Sequence, residues 1–384
     1  MALMEELVEE VLLRFPPTEP ASLVRAALVC KPWCRLISGR RFHRRFREFH
    51  RSPTVLGFLC HGLDKGGYAS RFVPASPACP PHADLGRWHR HTLEARHGRV
   101  LLCAADGSPH LNVWDPVTGE QLPGPVVTGP EIKPWWELPP LPLPAVWNYW
   151  MPGRWNAAVL CAASGGACDH LHCRGAPFLV VFVGDDAGQI SLFTYSPEAG
   201  SWSEPIFAAP ASEYGVYSAP TALVGNSLYF MIFRGNSMLR YDLITRKTSV
   251  IDHTPAKYHD PTEPIMMGDG GVLLVAVENY NSLFLWSMEE NPNGDIVWAQ
   301  IRVIELKKLL PVDVINHCGF GFIHGVGILV GTNNGLLIID LKSDKVKMVC
   351  EGNIYGAVPY MSFYIPALES VAAVEGPGAA ASIA

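Results

Sequence analysis

No apolar run in this chain reaches the roughly 18 residues that a membrane-spanning helix needs. The longest, such as Phe178–Val183 and Val272–Val277, are the size of a buried strand. Strong charge is also missing. Charged residues make up 17% of the 384, and the formal net charge is −6, so there is no overall pull toward nucleic acid or acidic lipid. The first ten residues are acidic, unlike a secretory signal, which opens with positive charge and an apolar core. Ten cysteines at irregular spacing do not form a disulfide framework. These features fit a reduced protein of the cytoplasm or nucleus, with no membrane partner.

Catalytic signatures are lacking as well. There is no Gly-x-Ser-x-Gly, no Walker loop and no His-Glu-x-x-His. The run Gly319-Phe320-Gly321-Phe322-Ile323-His324-Gly325 does not match the dinucleotide fingerprint, and its glycines read as turn and bulge positions. Cys161, Cys168, His170, His172 and Cys173 are zinc-compatible residue types, but no second Cys/His pair stands at a structural-zinc spacing. The segment reads as a loop between two strands, so we expect no metal, no cofactor and no enzyme activity.

What is abundant is turn chemistry: 35 glycines and 33 prolines in a chain that is 48% apolar, which points to many short strands. Residues 3–50 stand apart. Leu3, Leu7, Val8, Val11, Leu12 and Phe15 recur at helical spacing, with Glu5, Glu6, Glu9 and Glu10 between them. Pro16-Pro17 ends that helix. A second starts near Pro20–Ser22, a third has Pro32 in its first turn, and Gly39 separates a fourth that carries Phe42, Phe46 and Phe49 on one stripe. In the run Arg40-Arg41-Phe42-His43-Arg44-Arg45-Phe46-Arg47 that stripe leaves the arginines on the opposite, solvated face, and no nucleic-acid role is read into them. A segment of about 50 residues is marginal alone. Its surplus apolar surface must meet either the rest of the chain or a partner.

The run Glu6-Leu7-Val8-Glu9-Glu10-Val11-Leu12-Leu13-Arg14-Phe15-Pro16-Pro17 resembles the opening of an F-box, and Leu28-Val29-Cys30-Lys31-Pro32-Trp33-Cys34-Arg35-Leu36-Ile37 resembles its second half. The resemblance implies docking on a Skp-family adaptor, and through it a cullin, with Leu3, Leu7, Val11, Leu12, Val29, Trp33 and Leu36 as the adaptor-binding residues. Where the family usually opens with Leu-Pro, this chain has Leu3-Met4.

Residues 53–366 read as an all-β domain, so the chain as a whole is α+β and multidomain. An apolar residue followed by Asp or Ser recurs at Trp114-Asp115, Tyr195-Ser196, Tyr241-Asp242, Trp286-Ser287 and Ile339-Asp340. The last four marks are about 46, 45 and 53 residues apart, which suits one propeller blade each. Thr54–Cys60 with Arg71–Pro74 at one end, and Ile354–Pro366 at the other, are expected to share a closing blade, which makes six. The layout resembles the kelch-like β-propellers that follow many plant F-boxes; a β-sandwich or an irregular β domain is the alternative. An insertion at 123–156 is rich in Pro and Trp, and Trp135, Trp136, Trp147 and Trp150 are candidates for holding an unknown target protein. Residues 367–384 read as a disordered tail. The resemblance thus implies the target-recognition subunit of a Skp–cullin–F-box ubiquitin ligase; the alternative is a propeller interaction module whose F-box-like segment no longer binds the adaptor.

Overall fold

The structure is a computed structural model. It describes residues 5–51, 53–64, 67–75, 90–104, 110–126, 155–162, 173, 177–186, 189–208, 216, 220–232, 237–252, 254–255, 262–266, 271–278, 282–293, 295–310, 319–323 and 327–363.

Four helices form the N-terminal unit: α1 (Glu5–Leu13), α2 (Pro20–Ala27), α3 (Lys31–Ser38) and α4 (Arg40–His50). Pro20 and Pro32 sit in the first turns of α2 and α3, where a missing N–H costs nothing. Val8, Leu12, Leu13, Leu23, Ala26, Ala27, Ile37, Phe42 and Phe46 make the core. Two sequence expectations change here. Phe49 is exposed rather than part of the stripe, because the His50 ring covers Phe46 instead, at a centroid distance of 4.4 Å, while His50 Nε2 lies 2.8 Å from the Leu13 carbonyl. Arg45 does not simply face solvent: Nη1 lies 2.7 Å from Oε2 of the buried Glu9 and Nη2 lies 2.5 Å from Oε1 of Glu10, tying α4 to α1. Phe363 packs edge-on against Phe46 and joins this core to the end of the β domain.

Among the described residues, the β region forms six antiparallel sheets. The first is composite, in the order β2 (Gly67–Pro74), β1 (Thr54–Asp64), β24 (Asn353–Ser362). The second runs β3 (Arg90–Arg96), β4 (Arg99–Ala104), β5 (His110–Trp114), β6 (Gln121–Val126). The third runs β7 (Trp155–Cys161), β8 (Phe178–Asp186), β9 (Gln189–Ser196), β10 (Ser201–Trp202), with β11 (Ile206–Phe207) also on β9. The fourth runs β12 (Ala222–Val224), β13 (Ser227–Ile232), β14 (Ser237–Asp242), β15 (Thr248–Ile251). The fifth runs β16 (Thr262–Met266), β17 (Val272–Glu278), β18 (Ser282–Glu290), β19 (Ile296–Glu305). The sixth runs β20 (Gly319–Ile323), β21 (Gly327–Thr332), β22 (Gly335–Asp340), β23 (Val346–Glu351).

Hydrophobic packing closes these sheets into a ring. Leu59 and Tyr360 of the first sheet pack with Leu102 and Trp114 of the second. Leu101 and Val113 meet Trp155 and Phe182 of the third, and Val183 and Leu192 meet Phe230 and Tyr241 of the fourth. Tyr229 and Met231 pack with Leu274 and Ala276 of the fifth; Leu283 and Leu285 meet Val330 and Ile339 of the sixth. Leu329 and Leu336 then return to Phe58, Cys60 and Ile354 of the first. Each sheet therefore buries both faces against sequence neighbours, a propeller-like arrangement that leaves no free end. The closing sheet takes β1 and β2 from the start of the domain and β24 from its end.

The repeat mark proves to be a turn device. Oδ1 of Asp115, Asp242 and Asp340 accepts backbone N–H bonds from residues two and three further on, at 2.8 and 3.4 Å, 3.1 and 2.7 Å, and 2.8 and 2.8 Å respectively. These N–H donors hold the carboxyls of Asp242 and Asp340 below the usual carboxylate range. The fourth residue after each mark, Gly119, Gly200, Arg246 or Asp344, has positive φ. Trp286-Ser287 does not belong to this series. There β18 continues to Glu290, and Asn291 takes the role, its Oδ1 accepting from the N–H of Asn293 and of Asp295.

Gly321 also differs from expectation. It lies within β20, where a Cβ would stand 2.6 Å from the Ala357 carbonyl of β24. It permits close approach at the closing seam rather than a turn. The insertion is likewise shorter than 123–156: β6 extends to Val126, and Trp155 is a core residue stacked on Phe182 at 5.4 Å.

Where the first two sheets meet, His61 on β1 lies 5.6 Å from the His91 ring on β3, and its Nδ1 is 2.9 Å from Ser70 Oγ. Burial and then the neighbouring His91 push His61 down to about 3; burial pushes His91 down to about 4. Both are neutral in the fold, whereas unfolded histidine takes a proton near pH 6.5. Stability is therefore full above that pH and falls as pH drops toward 4. Across pH 7 to 5 the pair should cost about 2–4 kcal/mol, at about 1.4 kcal/mol per pH unit per group. Urea unfolding at several pH values measures this slope. His91→Gln should flatten it, and an unchanged slope would remove the pair from the explanation.

Candidate functional site

Among the described residues, five of the eleven exposed large hydrophobics belong to the small helical unit: Leu7, Val11, Leu28, Val29 and Phe49. Leu7 and Val11 are one helical turn apart on α1, 55% and 59% exposed. Their neighbours Val8 and Leu12 take the inward positions. Leu28 and Val29, 80% and 65% exposed, follow the end of α2, after Ala26 and Ala27 have filled the core. Trp33 and Leu36 on α3 are half-buried and pack against the helical core with one side. A unit this small, with its core complete and these side chains left in water, has the character of a docking surface.

The sequence expectations sort accordingly. Leu7, Val11 and Val29 are exposed, and Trp33 and Leu36 divide between core and surface. Leu12 is a correction: it is 1% exposed and belongs to the helical core, so it cannot be a primary contact. Leu28 is the most exposed residue of this set, and the sequence reading did not count it as a contact. Its signal was available, since it follows the last inward position of α2. Leu3 and the tryptophans Trp135, Trp136, Trp147 and Trp150 lie outside the described residues. So do residues 168–172 of the Cys/His segment, whereas Cys173 is buried.

A second polar constellation lies among the first strands of three sheets. Glu94 on β3 is buried. Its Oε1 accepts from the Val159 N–H of β7 at 2.6 Å, and its Oε2 accepts from Thr221 Oγ1, beside β12, at 2.7 Å. Arg96 Nη2 lies 3.2 Å from Glu94 Oε2 and donates to the Thr221 carbonyl at 2.7 Å. His97 Nδ1 accepts from the Cys161 N–H at 3.1 Å. Burial pushes the Glu94 carboxyl up, opposed by Arg96, Thr221 and Val159. Its neighbours are all donors and both oxygens are engaged, so the group fastens sheets together rather than moving protons. Among the described residues, no three His, Cys, Asp or Glu are grouped to hold a metal, and no helix is long and apolar enough to cross a membrane.

Comparison with known proteins identifies the helical unit. A family model for the F-box domain matches residues 3–45. No curated protein matches the chain. Among solved structures, a mutant of the Aleuria aurantia lectin in complex with Fucalpha1-6GlcNAc shares 12% identity, with a TM-score of 0.42, over 79% of this chain and 92% of that one. Glutaminyl cyclase from Myxococcus xanthus shares 14% identity, with a TM-score of 0.27, over 47% of this chain and 66% of that one.

Proposed function

From an F-box domain at residues 3–45 set ahead of a ring of six β-sheets, we propose that this protein is the target-recognition subunit of a Skp–cullin–F-box ubiquitin ligase. The observation that carries this reading is the exposed apolar set Leu7, Val11, Leu28 and Val29, left over after the helical core is complete. A Skp-family adaptor covers these side chains, with Trp33 and Leu36 at the margin, and through the adaptor the chain joins a cullin. The β domain holds a target protein, and Trp135, Trp136, Trp147 and Trp150 are its first candidate contacts. No catalytic residue is required of this chain, because holding the target beside the ubiquitin donor raises its effective concentration.

Reconstitution tests the proposal. Immobilised full-length protein should retain a cullin only when a Skp-family adaptor is present. Leu28→Asp combined with Val29→Asp should abolish retention and leave the helical circular dichroism intact, since both side chains are mostly solvated. Retention without adaptor, or by the double variant, would sink the reading.

Met4, in place of the usual proline, favours a second reading, in which the segment has lost adaptor binding and the chain is an interaction module. Met4→Pro separates the two. A wild-type chain that binds only after this change supports the second.

A further inference from the structure

The seam between the sixth sheet and the composite sheet carries a thiol pair that the proposed function does not use. Cys60 lies on β1, fully buried, opposite Arg71 on β2 and Ala357 on β24. Cys350 lies on β23, half-buried, and packs against the same hydrophobic cluster as Cys60. The ladder between β22 and β23 slips at this point: Leu336 faces Cys350 but Leu337 faces Met348, so Val349 is an extra residue. Such a bulge re-aims the neighbouring side chain. Cys60 Sγ donates to the Phe58 carbonyl at 3.9 Å, and the two thiols are close enough to shift each other's acidity. Arg71 Nη2 donates to the Glu351 carbonyl at 2.7 Å and places its guanidinium beside Cys350.

We infer that Cys350 and Cys60 form a dithiol that hydrogen peroxide oxidises to a disulfide, joining the sixth sheet covalently to the composite sheet. The two residues differ in role. The neighbouring Cys60 thiol and the Arg71 guanidinium draw Cys350 down to about 6, while the neighbouring Cys350 and burial hold Cys60 well above the ordinary thiol range. Cys350, half-buried and the more acidic of the two, is the nucleophile. Its sulfur attacks one peroxide oxygen and the O–O bond breaks; the departing hydroxide takes a proton and leaves as water. Cys350 is now a sulfenic acid. The Cys60 sulfur attacks the Cys350 sulfur, the S–S bond forms and the S–O bond breaks. Hydroxide leaves with the Cys60 proton as a second water. Two thiols and one peroxide thus give one disulfide and two waters. The bond would span the point where β23 turns through Gly352 into β24, adding a covalent tie to the packing and the Arg71–Glu351 hydrogen bond that hold the closing sheet there.

The test uses the reduced full-length chain at pH 7 with a few equivalents of hydrogen peroxide, followed by alkylation, digestion and mass spectrometry. Expected is a Cys60–Cys350 linked peptide, with Cys350 consumed about tenfold faster than the exposed Cys30. Arg71→Gln should slow that consumption. Cys60→Ser should leave a sulfenic acid on Cys350 that dimedone traps, and Cys350→Ser should form no link. If Cys60→Ser fails to fold, the wild-type link and the Cys350→Ser control decide alone. A wild-type chain without the linked peptide, or Cys350 no faster than Cys30, overturns the inference.

Discussion

Glu94→Ala should destabilise the β domain by about 3–5 kcal/mol, the cost of removing one partner from a buried ion pair. The carboxylate receives bonds from three chain segments far apart in sequence: Val159 of the third sheet, Thr221 ahead of the fourth, and Arg96 of its own strand. Alanine would leave the Arg96 guanidinium, only 16% exposed, without its charge partner, and would strip an acceptor from the Val159 N–H. Glu94→Gln keeps the shape, but its amide NH2 must face one of these donors, so an intermediate loss of about 1–3 kcal/mol is expected. Urea unfolding of the full chain, followed by circular dichroism, measures both. A loss below about 1 kcal/mol for alanine would mean that the network is incidental to holding the sheets.

Ending the chain at Gly352 should abolish the cooperative unfolding transition of the β domain altogether. The lost strand, β24, supplies Ile354, Ala357 and Tyr360 to two inter-sheet clusters, and Tyr360 also donates its hydroxyl to the Gly98 carbonyl at 3.1 Å. Burial of side chains the size of Ile354 or Tyr360 is worth about 1.5–3 kcal/mol each. The bare edge of β1 adds unpaired backbone groups. Together these approach the whole stability of an ordinary domain, about 5–15 kcal/mol. Removal of Phe363 should also loosen the helical unit, whose core it completes. A truncated protein with a sharp transition near the original temperature would show that the ring does not depend on its composite sheet.

Local chemistry was legible in the sequence, and so was the closing sheet that pairs β1 with β24; side-chain contacts between distant strands were not. Pro20, Pro32 and Gly39 fixed the helix boundaries because each acts on its own backbone. Asp115, Asp242 and Asp340 marked the repeats because an Asx turn needs only the next three residues. Trp286-Ser287 marked its sheet, since it lies on β18, but not the turn, because β18 continues to Glu290 and Asn291 makes the turn. Leu12 and Val11 share the apolar arc of α1. Only the packing against that arc decides that Leu12 turns inward and Val11 faces solvent. Glu94 gave no sign of its role between sheets: its partners on other strands lie 65 and 127 residues away. The Cys60 and Cys350 pair was also hidden, because the expected closing sheet did not say which residue of the sixth sheet packs against Cys60.

The most direct test is the affinity of the full-length chain for a purified Skp-family adaptor, measured by isothermal titration calorimetry. Wild type should bind with a Kd in the micromolar range or tighter. Leu28→Asp with Val29→Asp should weaken binding by roughly thirtyfold or more, the cost of about 2 kcal/mol at a docking hot spot. Phe207→Asp, an exposed apolar position on the β domain, should leave it unchanged. No heat of binding from wild type at micromolar concentration, or equal losses from both variants, would contradict the assignment of this helical surface to the adaptor.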